Sequence, residues 1–397
     1  MGRRERQLIP GYASLENGTE MTAPNLDIHT YRQRGDTRVI TARAPQPIAE
    51  VYPELADGAD VLFVFGDVIS EGFFNKAGVG PVDHLRCAGI SAAAVSVTYL
   101  DADTVTGVLE HLQPRLVVNR AMCMSAETVA TLSVRFPKTQ FVTVNHSSQS
   151  DLMRCAAWLD NQTAHVRLAA TKRNCWYGGV DERNYIGVAT GIVRSVVFPN
   201  VVRFPGWTAP KAIGDTPVIS LTCVSRVLKN IPNQLIALGL VNQERRIVAA
   251  LCMDKSDDES ITGMLDLCGV EYRIDPWTDW DGFMRNTTLN VDIGLQCSFT
   301  ESFNYVALEQ MLCGKPVIGS PAIRYLPEHH QVNPDDPQSI ANALIDVIDN
   351  YSTASRDALR VSRHVAEISN YNFEWIVTSL LEGNPAPASL KPEEVLV

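Results

Sequence analysis

The feature that most constrains this chain is a repeated unit of two parts. A short apolar run rich in β-branched residues is followed by about ten to fifteen residues of helical periodicity. From Asp60 onward the runs are Asp60–Gly66, Ala92–Tyr99, Leu116–Asn119 and Gln140–Asn145. A second series reads Val218–Cys223, Arg246–Met253, Glu271–Ile274, Val291–Leu295 and Pro316–Gly319. Strands that alternate with helices pair in parallel, because a parallel neighbour is reached only through a crossover. Residues 203–217 hold three Pro and two Gly between the two series, which marks a linker. Two α/β domains with a hinge leave a cleft, and ligands of open α/β sheets sit outside the carboxyl ends of the strands.

Between these runs the pattern predicts helices over Asp101–Leu112, Ser125–Phe136, Ser150–Asn161, Asn230–Gly239, Glu259–Cys268, Trp280–Asn286 and Tyr305–Leu312, and over 337–350 and 356–382. It predicts a loop at Gly78-Val79-Gly80-Pro81, a helix through Leu85 and Cys87 that stops at Gly89, and short strands at Val166–Ala170 and Val196–Phe198. Residues 1–25 read as a flexible extension. Thr37–Ala42 fits a strand, and Ile48–Asp57 fits a short helix that Pro53 disfavours.

The 397 residues carry no apolar run near the roughly 20 needed to span a bilayer, and the basic start MGRRERQLIPGY has no apolar stretch behind it. Nine cysteines without a Cys-x-x-Cys pair argue against a zinc site and fit small buried hydrophobes in a reducing compartment, so a cytoplasmic location is expected. The net charge of −11 divides into −6 over residues 1–114, +6 over 115–203 and −11 over 204–397. An acidic chain with one basic stretch is not a general nucleic-acid binder, yet that stretch can hold a polyanion locally.

The segment richest in chemistry is Thr300-Glu301-Ser302-Phe303-Asn304-Tyr305-Val306-Ala307-Leu308-Glu309, continuing through Met311, Cys313, Gly314 and Pro316. It follows a strand and opens a helix. That places Glu301 in the loop, Glu309 in the second turn, and the backbone amides of Phe303, Asn304, Tyr305 and Val306 at the helix start. Such amides suit a phosphate, and carboxylates beside them suit sugar hydroxyls. Two solvated glutamates on a surface helix would share the same spacing. Arg226 and Lys229 follow the first strand of the second series, His146 follows Gln140–Asn145, and Trp277 and Trp280 could stack on a ring or pack in the core.

Glu-Ser-Phe-x5-Glu followed by Met-x-Cys-Gly-x-Pro-Val-Ile resembles the E-x7-E signature of retaining glycosyltransferases of family four. The resemblance implies a GT-B architecture, two Rossmann-like domains facing a central cleft. Residues 60–204 with a C-terminal helix at about 365–382 would bind the acceptor, and 205–364 the nucleotide-sugar donor. Residues 1–59 would be an N-terminal extension and 383–397 a tail. Arg226 and Lys229 resemble the family's Arg…Lys pair that grips the donor diphosphate, although they lie three positions apart where the family has five. His146 resembles its strand-end histidine near the donor sugar. Gly78, Val79 and Gly80 resemble its Gly-rich loop, and Arg273 and Ile274 its base-contacting segment.

The resemblance implies transfer of a hexose from a UDP-sugar to a hydroxyl with retained configuration and without a bound metal. His146, Arg226, Lys229 and Glu301 would be catalytic. Arg226, Lys229 and the amides of 303–306 would stabilise the leaving diphosphate, with Ser302 beside them; Glu301 would position the sugar and Glu309 the ribose. Similarity to phage DNA α-glucosyltransferases, with the basic stretch, implies a hydroxymethylated base in double-stranded DNA as acceptor, held by Arg120, Arg154, Lys172 and Arg173. A cell-envelope glycan, a lipid or a small molecule is the other acceptor class. A nucleotide-sugar epimerase or a non-catalytic binding module shares the fold.

Overall fold

The computed structural model describes residues 28–29, 39–41, 58–66, 73–97, 102–148, 156–180, 194–205, 212–278 and 280–384. The expected helix at Ile48–Asp57 and the tail beyond Asn384 lie outside these residues.

The first sheet contains β1 (Ile28–His29), β2 (Val39–Thr41), β3 (Val61–Gly66), β4 (Ala92–Val97), β5 (Leu116–Arg120), β6 (Gln140–Asn145), β7 (Cys175–Gly179) and β8 (Ser195–Val197). Its spatial order is β1-β2-β4-β3-β5-β6-β7-β8, parallel except for β1 against β2. Its described helices are α1 (Phe73–Cys87), α2 (Ala102–Leu112), α3 (Ala126–Arg135) and α4 (Ala156–Thr171). Side chains alternate along β3. Val61, Phe63 and Phe65 pack in one apolar layer, and Leu62 and Val64 pack in another with Val105, Val108 and Leu109 of α2. A sheet covered on both faces explains why its strands read as continuous apolar runs.

The second sheet contains β9 (Val218–Cys223), β10 (Val248–Met253), β11 (Glu271–Ile274), β12 (Ile293–Gln296) and β13 (Val317–Gly319). All are parallel, in the order β11-β10-β9-β12-β13. Its helices are α5 (Ile231–Glu244), α6 (Glu259–Leu267), α7 (Trp280–Asn290), α8 (Tyr305–Leu312) and α9 (Pro337–Asp349). The strand order reverses between β9 and β12, so the loops leaving these two neighbours flank the topological switch point. The 31-residue α10 (Tyr351–Leu381) joins the two halves. Tyr351 and Ala354 belong to the second core, while Phe373, Ile376, Val377 and Leu380 complete the first.

Several expectations are corrected. Gly78, Val79 and Gly80 lie inside α1, not in a loop. Pro81 removes one intrahelical donor, yet burial of Val82 and Leu85 keeps that turn helical. The strand expected at Val166–Ala170 is the last third of α4, whose start is Ala156. Gln162, His165 and Ala169 are buried there, a helical spacing that outweighs the local β-branching. Cys175–Gly179, which carries two glycines, is a strand the sequence pattern misses. A Cβ on Gly178 would sit 2.4 Å from the carbonyl oxygen of Val196, so the approach of β7 to β8 requires glycine there. The N-terminal 59 residues are not wholly an extension, since β1 and β2 widen the first sheet through Val39–Thr41 beside Ala94–Ser96.

Candidate active site

At the carboxyl end of β9 the chain passes through Arg226 into a single 3-10 turn, Val227–Lys229. Asn230 then takes a left-handed conformation (φ 56°), a region asparagine tolerates better than most residues. Its side-chain amide donates to the carbonyls of Cys297 at 3.0 Å and Pro334 at 2.7 Å. This tether ties the β9 loop to the β12 loop and turns Lys229 toward the latter. Lys229 Nζ donates to Glu301 Oε1 at 2.5 Å, with the two side chains 14% and 9% exposed. The sequence places these residues 72 positions apart; the switch point makes them neighbours.

The surroundings of Cys223 show which charges gather at this point. Burial pushes its thiol up to about 12; Lys229 and Arg226 pull it down, and Glu301 and Asp254 push it up. Two cations and two carboxylates therefore surround the end of β9. Asp254, which the sequence reading passed over, accepts the backbone N–H of Ser225 at 2.5 Å and shapes the turn that carries Arg226.

The β12 loop ends in Asn304, which caps α8. Its side chain accepts the N–H of Ala307, and its own φ is 63°. Ser302, Phe303, Asn304, Tyr305 and Val306 thus form the helix entry beside Lys229 and Glu301. Glu309 lies deeper: it is 3% exposed and accepts the indole N–H of Trp280 on α7 at 2.7 Å. The guanidinium of Arg203 stands 4.9 Å above the Trp280 ring. Trp280 therefore holds one of the two signature carboxylates, a role its sequence context did not reveal because its partner lies on the next helix.

On the first sheet, His146 follows β6 and Arg120 ends β5, two strand tips that are neighbours in the sheet. His146 is 7% exposed and, among the described residues, its Nε2 has no hydrogen-bond partner. Burial, with a smaller contribution from Arg120, holds its imidazole well below the ordinary histidine range, so it is neutral at pH 7. Arg120 is fully buried and donates to Asn200 Oδ1 at 3.1 Å. Burial lowers its guanidinium to about 10, and the phenol of Tyr305 acts in the opposite direction. Tyr305 also donates to the carbonyl of Val201 at 3.3 Å, so the start of α8 touches the first half of the chain.

The other expected residues do not join this centre. Arg273 pairs with Asp275 at 2.9 Å and donates to the carbonyl of Asn290, while Ile274 is exposed at the strand end. Asp275, Pro276 and Thr278 beyond them line a cavity of about 230 Å³ with Ser220, Thr222, Cys252 and Phe283. The acceptor contacts expected of the basic stretch need correction. Arg120 is interior. Lys172 and Arg173 follow α4 and precede β7, which puts them at the amino edge of the first sheet, opposite the strand tips that carry Arg120 and His146. Arg154 lies outside the described residues. Among the described residues no cluster of His, Cys, Asp and Glu side chains could hold a metal ion, and no helix is long and apolar enough to cross a membrane.

No protein-family model matches the chain, and no curated protein matches it by sequence. Solved structures do match by fold. Sucrose-phosphate synthase from Thermosynechococcus elongatus superposes with a TM-score of 0.61 at 13% identity, covering 81% of this chain and 96% of that one. HepE from Anabaena, in complex with UDP-glucose, gives 0.60 at 14% identity over 81% and 99%. A glycosyltransferase from Rickettsia africae gives 0.59 at 14% identity over 82% and 97%. At such identities the likeness is one of architecture: the chain has the α/β GT-B fold, built from two Rossmann-like halves.

Proposed function

We propose that this protein is a retaining glycosyltransferase that moves a hexose from a UDP-sugar to an acceptor hydroxyl. The observation that carries the reading is the meeting of Arg226, Lys229 and Glu301 at the switch point beside the entry of α8. A nucleoside diphosphate leaves with growing negative charge, and Arg226, Lys229 and the amides at the α8 start would neutralise it without a metal. Glu301 would accept hydroxyls of the transferred sugar. His146, neutral and with Nε2 unpartnered among the described residues, would hydrogen-bond the sugar from the opposite side. Glu301 is paired to Lys229, Asp254 accepts the Ser225 N–H and Glu309 the Trp280 indole, so among the described residues each carboxylate of this centre is already engaged. That favours attack of the acceptor on the same face the diphosphate leaves, with the leaving phosphate taking the acceptor proton. Fold neighbours include HepE with UDP-glucose, which supports the choice of donor.

The DNA acceptor rests on the similarity to phage DNA α-glucosyltransferases together with the basic stretch. With Arg120 buried and Lys172 and Arg173 at the opposite edge, a glycan, lipid or small-molecule acceptor fits better. The test is incubation with UDP-glucose, with and without a duplex carrying hydroxymethylcytosine, reading UDP release and nucleoside mass. UDP release without added hexose on the base supports this reading. Hexose on the base restores the DNA acceptor. An epimerised UDP-sugar, or no binding of UDP at all, contradicts the transferase.

A further inference from the structure

Resting on that reading, we infer that Asn304 is a positioning residue for Glu301, and that it turns one carboxylate oxygen of Glu301 toward the donor sugar. Asn304 uses every polar atom of its side chain. Oδ1 accepts the N–H of Ala307 at 3.0 Å. Nδ2 donates to Glu301 Oε1 at 3.1 Å and to Gln296 Oε1 at 3.1 Å. Gln296 is itself fixed on β12, because its Nε2 donates to the carbonyl of Thr222 on β9 at 2.8 Å. The backbone is held as well: the hydroxyl of Tyr325 donates to the carbonyl of Asn304 at 2.5 Å. The amide orientation follows, since one donor and two acceptors surround the group and only one rotamer serves all three.

The consequence falls on Glu301. Its Oε1 receives both Lys229 Nζ and Asn304 Nδ2, while among the described residues Oε2 has no hydrogen-bond partner. Two donors converging on one oxygen fix the rotation of the carboxylate about its last bond. The free oxygen is then a preset acceptor for a hydroxyl. A neutral amide does this without adding charge next to the lysine. A cap alone would need only Oδ1, and the paired donation from Nδ2 has no part in starting α8.

The test is calorimetric titration of wild type, Asn304→Asp and Asn304→Gly with UDP and with UDP-glucose. N304D keeps the cap acceptor and loses both donated bonds; N304G keeps the left-handed backbone at no steric cost. The inference predicts that both variants lose about tenfold or more in UDP-glucose affinity beyond whatever they lose in UDP affinity. If N304D binds UDP-glucose like wild type, or loses UDP and UDP-glucose affinity equally, the positioning role is overturned. A wild-type protein that binds neither ligand contradicts the donor-site reading itself.

Discussion

The indole N–H of Trp280 reaches the carboxylate of Glu309 at 2.7 Å, across the packed faces of α7 and α8. Glu309 is thereby oriented from beneath, and Arg203, on the segment that leaves the first sheet, closes over the other side of the same indole. The second signature carboxylate is thus linked to the hinge between the two halves of the chain.

Trp280→Phe keeps the ring under Arg203 and removes the donor. A buried carboxylate that loses a hydrogen bond costs about 1–3 kcal/mol. Urea unfolding of W280F should show a loss of that size, with little change in the slope against denaturant. Stability equal to wild type would show that Glu309 does not depend on Trp280.

Lys229 and Glu301 form a mostly buried pair, so removing one partner strands the other. Lys229→Met and Glu301→Gln should each destabilise the protein, by up to about 3–5 kcal/mol for fully desolvated groups and less at the exposure seen here. The double variant should lose less than the two single losses added together. A thermal-denaturation cycle measures the coupling, and strict additivity would count against the pair.

Gly178→Ala places a methyl group 2.4 Å from the Val196 carbonyl, where β8 must move. Overpacking of this kind costs about 1–3 kcal/mol. Thermal denaturation of G178A should show a clearly lowered midpoint, and an unchanged midpoint would contradict the packing of β7 against β8.

Burial holds the imidazoles of His165 and His330 down to about 4, and that of His146 well below its ordinary 6.5. Below pH 6.5 the unfolded chain takes up protons that the folded chain refuses, so stability present above that pH is lost as the pH falls toward 4. Each histidine contributes up to about 1.4 kcal/mol per pH unit in this window. Urea midpoints should therefore fall between pH 6.5 and 4.5. His330→Asn should make the fall shallower.

The second half of the molecule was largely legible in the sequence. β9, β11 and α8 carry the expected bounds, because Pro217 precedes β9, Gly269 and Pro276 flank β11, and Gly314 and Pro316 follow α8. The first half was less so. The run Val166-Arg-Leu-Ala-Ala170 reads as a strand locally, and only its burial against Tyr177 and Met122 makes it helical. Gly78 to Pro81 read as a loop because both residue types break helices, while α1 is held by its buried face. At the site, the motif marked Glu301 and Glu309, but no local signal could pair Lys229 with Glu301 or Trp280 with Glu309, since strand order and helix packing create those contacts. Within the basic stretch, Arg120 is buried at a strand tip while Lys172 and Arg173 lie at the opposite edge of the sheet, a separation that spacing along the chain does not reveal.

The most direct test of the central claim is isothermal titration of UDP into the wild-type protein and Arg226→Ala. The account predicts measurable binding by wild type and a loss of about 10–100-fold in R226A, the size expected when a charge-assisted hydrogen bond to a phosphate is removed. No binding by wild type, or equal binding by R226A, would contradict a nucleotide-sugar site at the end of β9.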